Sequence, residues 1–232
     1  MLKVIDSAVP VACWSCSVAH NTSTLFCPHC SKIQPPAAGD YFSVFSLEPR
    51  LNIDTAVLEH EFHRLSRKLH PDRYARATDS EREFALADTA LLNDAYRTLK
   101  DPLRRTEYLL KLMGAEVGDY TAAEGKPAKD ANRAPIDLLE EVFELNMQLE
   151  EMRGARKAGE DNTDLERDLT LAKTKFERLV EAVDAELREQ WSNWEAGDAT
   201  ARKIAQKHMV ALLDRRRYLS NLVREVSETL GA

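Results

Sequence analysis

The tripeptide His70-Pro71-Asp72 stands between two segments with helical periodicity, and it constrains the fold more than any other feature of the chain. Upstream, apolar residues at helical spacing predict one buried face: Leu58, Phe62, Leu65 and Leu69. Asp54 is a candidate N-cap for this helix, and Pro71 predicts that it ends at His70. A second helix is predicted from about Glu81 to Leu99, with its apolar side formed by Phe84, Ala87, Leu91, Ala95 and Leu99. These patterns predict an antiparallel helical hairpin with the tripeptide at its tip.

The first helix also has a basic side, because His63, Arg64, Arg67 and Lys68 fall largely off its apolar face. Downstream motifs extend the pattern: Leu92 to Leu99, Asp101-Pro102, Arg104-Arg105 and Tyr108-Leu109-Leu110. Together with the hairpin they resemble the J domain of the DnaJ co-chaperones. The alternative is an ordinary two-helix turn whose basic face is only solvated.

Two CxxC pairs use all four cysteines of the chain, Cys13, Cys16, Cys27 and Cys30. This spacing is typical of a structural zinc site, in which two knuckles together present four thiolates. Iron in a rubredoxin-like site and dithiol redox chemistry remain alternatives. His29 lies inside the second knuckle and is interpreted as a spectator, because Cys27 and Cys30 already supply its ligands. Paired disulfides are disfavoured, since no secretory signal is visible.

The sequence predicts an all-α fold in four segments. These are a tetracysteine zinc-binding module (1–39), a J-like helical unit (40–113), a linker rich in Gly and Pro (114–135) and a three-helix bundle (136–232). The bundle helices are predicted at about 136–153, 162–194 and 199–230, with breaks at Gly154 and Gly159 and at Gly197-Asp198. A small β element is expected around the cysteines.

Charge is distributed unevenly along the chain. Residues 1–40 carry two cations and two anions, residues 41–113 carry twelve of each, and residues 114–232 carry 18 cations against 25 anions. The net charge of −7 therefore lies in the last segment, which disfavours nucleic acid as a ligand. No apolar run is long enough to cross a bilayer, so no membrane partner is expected. No nucleophile–base pair, phosphate-binding glycine loop or carboxylate dyad is seen, so the chain is not expected to be an enzyme.

The combination of segments resembles the HscB family, the J-domain co-chaperones of iron–sulfur cluster assembly. The motifs Cys13-Trp14-Ser15-Cys16, Phe26-Cys27-Pro28-x-Cys30 and Asp40-Tyr41-Phe42-Ser43 are similar to those of its zinc-bearing members. The absence of a visible signal or transit peptide, taken with this resemblance, implies a bacterial cytoplasmic protein, or a processed one in the mitochondrial matrix. The residues do not decide the oligomeric state.

The resemblance implies a chaperone ATPase of the HscA or DnaK class as one partner. The residues implied in binding it are His70, Pro71, Asp72, Arg64, Arg67, Lys68 and Arg73. Asp72 would accept charge-assisted hydrogen bonds from an arginine of the partner, and the cations would meet an acidic surface. The chain would then change the catalysis of another protein.

The resemblance also implies that the bundle binds an iron–sulfur cluster scaffold of the IscU type. The residues implied in this contact are Leu139, Phe143, Glu144, Glu151 and Tyr218, whereas Met147 stands where some relatives have an acidic residue. A competing interpretation places Leu139, Val142, Phe143, Leu149 and Met152 in the bundle core, since their spacing is helical. Tyr218 could equally pack inward.

Three other functions stay open at this point. The chain is alternatively a J-domain protein with a different client, which would share the same tripeptide and differ only on the bundle surface. It is alternatively a cysteine-based redox or iron protein, which visible absorption would reveal. A zinc-ribbon nucleic-acid binder is disfavoured by the electroneutral first forty residues.

Overall fold

The computed structural model describes residues 11–20, 24–36, 39–117 and 135–231. Two short strands, β1 (Val11–Ala12) and β2 (Ala19–His20), pair antiparallel. All other elements are helices: α1 (Tyr41–Val44), α2 (Thr55–Leu69), α3 (Pro71–Tyr74), α4 (Asp79–Lys100), α5 (Pro102–Leu112), α6 (Leu139–Ala158), α7 (Thr163–Ala196) and α8 (Ala199–Leu230). A 3₁₀ turn (Ile136–Leu138) leads into α6. The all-α prediction, with a small β element near the cysteines, is confirmed.

The chain forms two compact units, residues 1–109 and 110–232. The four-segment division stays a prediction, because most of the proposed linker, residues 118–134, lies outside the described residues, as do residues 1–10, 21–23 and 37–38 of the N-terminal segment. None of the described helices is both long enough and apolar enough to span a membrane.

Local capping sets the helix ends of the first unit. Asp54 caps α2 through hydrogen bonds from the backbone N–H groups of Ala56 and Val57, as its sequence position predicts. Thr78 and Glu81 form a reciprocal capping box at the start of α4. His70 adopts φ −55° and ψ 132°, the extended geometry that a following proline favours, so α2 ends at Leu69.

The core of the first unit lies between α2 and α4. Leu58, Leu65 and Leu69 are buried on α2, as predicted, while Phe62 stacks on Tyr96 with ring centroids 4.0 Å apart. The predicted apolar side of α4 was partly wrong, since Ala87 is exposed and Phe84 and Leu91 are only half-buried. The side that faces inward consists of Glu81, Ala85, Asp88, Leu92, Ala95 and Leu99. Two carboxylates interrupt this face, and an apolar pattern cannot reveal them.

Asp88 is fully buried, and neither of its carboxylate oxygens has a hydrogen-bond partner. Desolvation disfavours the charged form and raises the pKa of the Asp88 carboxyl to about 7. The folded protein therefore retains this proton at pH values where an unfolded chain has lost it. As the pH rises from about 4 to about 7, the contribution of Asp88 to the free energy of unfolding falls.

In the second unit, α7 and α8 form a long antiparallel pair, and α6 lies against both. Asp137 pairs with Arg215 and Arg153 with Glu225, so α6 runs parallel to α8, as an up-down-up bundle requires. Helix α6, with 20 residues, is shorter than α7, which has 34. Trp191 and Trp194 are buried near the end of α7.

The first bundle helix was predicted to end near residue 153, but α6 continues through Gly154 to Ala158. Glycine inside a helix costs only about 1 kcal/mol, and contacts on both sides of Gly154 offset that cost. Arg153 pairs with Glu225, and the Arg156 guanidinium donates to the carbonyl of Leu230. Gly159, with φ 72°, ends the helix as a left-handed C-cap.

We predict that Asp88→Asn stabilises the protein at pH 8 by on the order of 1–3 kcal/mol, because it removes an uncompensated buried charge. At pH 4, near the ordinary pKa of an aspartate, the folded protein and the unfolded chain differ little in this proton, so the same substitution should change the free energy of unfolding little. Urea denaturation at the two pH values measures the difference. Asp94→Asn is the matched control, since Asp94 lies exposed on the same helix. Equal effects of Asp88→Asn at both pH values would contradict the assignment.

Candidate functional sites

The His70-Pro71-Asp72 tripeptide lies exposed at the reversal between α2 and α3. His70 is the N-cap of α3, and its Nδ1 accepts a hydrogen bond from the backbone N–H of Asp72 at 3.3 Å. The Asp72 carboxylate is 90% exposed and lies 3.5 Å from the same Nδ1. The histidine thus stabilises the turn by capping α3, and the carboxylate oxygens of Asp72 stay accessible to a binding partner.

The predicted cations lie exposed beside this tip. Arg64, Arg67 and Lys68 project from α2, and Arg73 projects from α3. They are not equally free, because Arg64 pairs with Glu61 at 2.7 Å and Arg67 donates to the carbonyl of His63. The Lys68 ammonium lies over the ring of Phe26, 5.6 Å from its centroid. The structure therefore gathers all seven predicted chaperone-binding residues at one end of the α2–α4 hairpin.

The four cysteines form two knuckles with the same backbone hydrogen bonds. The N–H of Cys13 donates to the carbonyl of Val18, and the N–H of Ser17 donates to the carbonyl of Cys13. Cys27, Lys32 and Ser31 repeat this pattern in the second knuckle. Ser17 and Ser31 adopt φ 60° and 58°, which closes each turn. Each knuckle thereby directs two Sγ atoms towards the other.

The thiol geometry fits one tetrahedral metal ion. The four Sγ atoms all lie within 4.8 Å of one another, and Cys13–Cys30 and Cys16–Cys27 are each 3.7 Å apart. Metal–sulfur bonds of ~2.3 Å in a tetrahedron require sulfur–sulfur distances of ~3.8 Å. The sequence prediction of these four ligands is therefore consistent with a metal-binding cluster, and His29 is not part of it.

The close approach of the thiols separates their pKa values. Burial raises the pKa of Cys13. The backbone N–H groups of Cys16 and Ser15 and the neighbouring thiols lower it by more than burial raises it, so that the pKa of Cys13 falls to about 6. At Cys16 the backbone N–H of Val18 lowers the pKa, and burial with the surrounding thiols outweighs it and raises the pKa to about 12. Four thiolates at this spacing repel one another unless a cation compensates them.

A hydrogen-bond network behind the cysteines was missed by the sequence reasoning. The Gln34 side-chain amide donates to Cys13 Sγ at 3.4 Å, and its Oε1 lies 3.0 Å from Nε2 of His20. Both side chains are buried. Such outer residues orient metal ligands and tune their basicity. Only the position of Gln34, four residues after Cys30, could have indicated it, and the cysteine spacing alone does not require a residue there.

On the bundle, α6 carries a row of exposed apolar side chains, which we call the exposed row: Leu139, Phe143 and Met147, which are 52%, 67% and 55% exposed. The core interpretation is therefore wrong for Leu139 and Phe143. It is right for Val142, Leu149 and Met152, which are buried together with Leu145. Sequence reasoning did not include Met147 in the row, although four-residue spacing from Phe143 was a signal for it.

The polar residues predicted with this row lie close to it. Glu144 and Glu151 are exposed on α6, and Glu151 continues the four-residue spacing after Met147. Tyr218 is half-buried on α8, and burial raises the pKa of its hydroxyl. Since α8 pairs with the 3₁₀ turn before α6 at Asp137–Arg215 and with α6 itself at Arg153–Glu225, Tyr218 lies level with the early turns of α6. Four of the five predicted scaffold-binding residues are thus exposed on α6, and Tyr218 is half-buried on the helix that packs against it.

A family model described as the DnaJ domain matches residues 40–108. The chain is 35% identical over 141 residues to the mouse iron-sulfur cluster co-chaperone protein HscB, an alignment covering 59% of this chain and 56% of that protein. It is 35% identical over 143 residues to the human protein of the same name, covering 60% of this chain and 57% of that protein. These alignments thus span little more than half the length of either mammalian relative.

A third relative is matched over more of its length. The chain is 34% identical over 143 residues to the co-chaperone protein HscB homolog of Shewanella sp. (strain ANA-3), covering 62% of this chain and 77% of that protein. The crystal structure of human co-chaperone protein HscB matches with a TM-score of 0.60 at 26% identity, covering 94% of this chain and 98% of that chain. Chaperone HscB from Vibrio cholerae matches with a TM-score of 0.56 at 27% identity, covering 82% and 96%. The chain belongs to the HscB family of co-chaperones, with a DnaJ domain at residues 40–108.

Proposed function

We propose that this protein is a J-domain co-chaperone that stimulates the ATPase of an HscA- or DnaK-class chaperone and delivers an IscU-type iron–sulfur scaffold to it. The observation that carries the proposal is the presence of two exposed sites in one chain. One is the His70-Pro71-Asp72 tip with its cations, and the other is the exposed row of α6. A J-domain protein with a different client would need the first site and a different bundle surface.

At the tip, Asp72 is the central acceptor. Its oxygens are exposed, and the His70 ring lies beside them with Nδ1 at 3.5 Å, so they can accept a pair of N–H donors from an arginine of the chaperone. Arg67, Lys68 and Arg73 present positive charge beside it and suit an acidic surface. Docking that favours the hydrolysis-competent state of the chaperone shifts its equilibrium towards that state, with the chemistry carried out by the partner.

On the bundle, the exposed row supports a protein client. Three large apolar side chains, each more than half exposed and at four-residue spacing, form a patch of the kind that marks a protein-binding surface. Glu144 and Glu151 add negative charge to its edge and suit cations on the scaffold. Tyr218 contributes an aromatic body with a polar hydroxyl, a residue type enriched at interfaces.

For the cysteine cluster, we propose structural Zn²⁺ held by Cys13, Cys16, Cys27 and Cys30. The all-thiolate tetrahedron suits Zn²⁺, which supplies cross-linking of the two knuckles. A segment this small has little core of its own, so metal binding and folding should be coupled. Iron in the same thiolate set is the competing occupant, and its visible absorption distinguishes it.

We predict that Asp72→Asn reduces stimulation of a purified HscA- or DnaK-class ATPase by at least about tenfold, because the neutral amide weakens a charge-assisted interaction. Helicity measured by circular dichroism should be unchanged, since Asp72 is exposed. Asp94→Asn serves as the control, because it removes an exposed carboxylate from α4, away from the tip. Undiminished stimulation by Asp72→Asn would refute the chaperone assignment.

We predict that Phe143→Ala weakens binding of an IscU-type scaffold about tenfold or more, because it removes the aromatic ring of the exposed row, which is also its most exposed side chain. Calorimetric titration measures the affinity, and the melting temperature should hardly change. Leu171→Ala is the matched control, since Leu171 is 63% exposed on α7 and lies outside the exposed row. Equal losses for both variants, or no loss for Phe143→Ala, would contradict the proposed client surface. Binding of no IscU-type scaffold by the wild type would favour a different client.

We predict that protein purified without chelator contains one zinc per chain and is colourless. Elemental analysis that finds far less than one zinc per chain, or an iron–thiolate absorption band, would overturn the metal assignment.

We also predict that Gln34→Leu lowers the Zn²⁺ affinity about tenfold, because it removes the hydrogen bond to Cys13. Competition with a chromophoric chelator measures the affinity. Gln148→Leu, on α6, is the control.

A further inference from the structure

The described part of the tetracysteine module, residues 11–20 and 24–36, contacts the J domain at three points. The Trp14 ring meets Phe84 edge-on with centroids 6.4 Å apart, Lys32 Nζ lies 2.7 Å from Glu81 Oε1, and Lys68 Nζ lies over Phe26. Lys68 is in the last turn of α2, and Glu81 and Phe84 are in the first turns of α4. The module therefore contacts both helices at the end that carries the tripeptide.

Glu81 divides its carboxylate between the two parts of this unit. Oε2 accepts from the backbone N–H of Thr78 at 3.1 Å and from its hydroxyl at 2.9 Å, which completes the capping box of α4. Oε1 accepts from Lys32 at 2.7 Å. The Glu81 side chain is only 8% exposed, so it depends on these partners for its charge. The Lys32 hydrogen bond, followed by those of Thr78, lowers the pKa of the Glu81 carboxyl. One ion pair thus connects the second knuckle to the start of α4.

The same contacts lead to the tripeptide from both sides. Lys68 is one of the cations proposed to bind the chaperone, and it lies against Phe26, the residue immediately before the ligand Cys27. Tyr74 ends the short helix that begins at Pro71, and burial raises the pKa of its hydroxyl. The segment from Lys68 to Glu81 therefore has a contact with the module at each of its ends.

We propose that the tetracysteine module braces the tip of the J domain, with Lys32, Phe26 and Glu81 as positioning residues that hold Lys68 and the His70-Pro71-Asp72 turn for chaperone docking. This role rests on the proposed J-domain function. The module then acts through the orientation of the docking residues, and none of the three positioning residues needs to contact the chaperone. Loosening the brace weakens docking and leaves the stimulated turnover of the docked complex unchanged.

The test compares Lys32→Ala, Lys32→Arg and Lys100→Ala in the full-length protein. Lys100 is a matched control because it also pairs with a glutamate, Glu59 at 3.6 Å, and lies over an aromatic ring, that of Tyr96, at the opposite end of the hairpin. We expect Lys32→Ala to raise the concentration needed for half-maximal stimulation of a DnaK-class ATPase roughly threefold to tenfold, with unchanged maximal stimulation. Lys32→Arg retains the ion pair and should restore the wild-type value, and Lys100→Ala should leave it within about twofold.

Amide hydrogen exchange on the protein alone gives a second readout that needs no chaperone. Residues 69–82 should exchange faster in Lys32→Ala than in the wild type and Lys100→Ala, because local opening of the tip becomes easier. Unchanged exchange in this segment would overturn the brace. Faster exchange with an unchanged half-maximal concentration would overturn the positioning role. If the wild type stimulates no ATPase at all, the proposed function fails, and the exchange experiment still decides whether the module holds the tip.

Discussion

The break between α2 and α3 is the constraint on which the J domain depends. Pro71 keeps His70 out of helical geometry, so α2 ends at Leu69 and the chain reverses towards α4. Reversal brings the apolar face of α2 against α4 and buries Leu58, Leu65 and Leu69. The residues at the reversal lie outside that core, and the exposed His70 side chain caps α3. Packing of the two helices therefore leaves the Asp72 carboxylate at the surface.

Helix α6 carries apolar residues on two faces, one buried in the bundle and one exposed. Val142, Leu145, Leu149 and Met152 hold the helix in the bundle, and the exposed row of Leu139, Phe143 and Met147 lies outside it. Ion pairs join α8 to the 3₁₀ turn before α6, at Asp137–Arg215, and to α6 itself, at Arg153–Glu225. Since the buried face and these ion pairs anchor the helix, the exposed apolar side chains are not needed to hold it in the bundle.

The buried carboxyl group of Asp88 is energetically unfavourable in the first unit. Asp88 is buried without a hydrogen-bond partner, whereas Glu81, about two turns earlier on the same face, has both its oxygens occupied. Similar carboxylates on one helix face thus have opposite pKa shifts, upward at Asp88 through desolvation and downward at Glu81 through Lys32 and Thr78. The partner that makes the difference, Lys32, comes from the tetracysteine module.

Features that depend on neighbouring residues can be predicted from the amino-acid sequence. Helical periodicity, the proline at residue 71, the Asp54 cap and the CxxC spacing are such features, so the hairpin, the tip and the cysteine ligands could be predicted from them. Which apolar residues are buried depends on how the helices pack, because α6 has apolar residues on more than one side and the positions of α7 and α8 select the inner face. The same is true of Lys32–Glu81 and Gln34–Cys13, which join residues 49 and 21 positions apart. Contacts at such separations exist only once the chain has folded, since no periodicity within a helix or knuckle connects their partners.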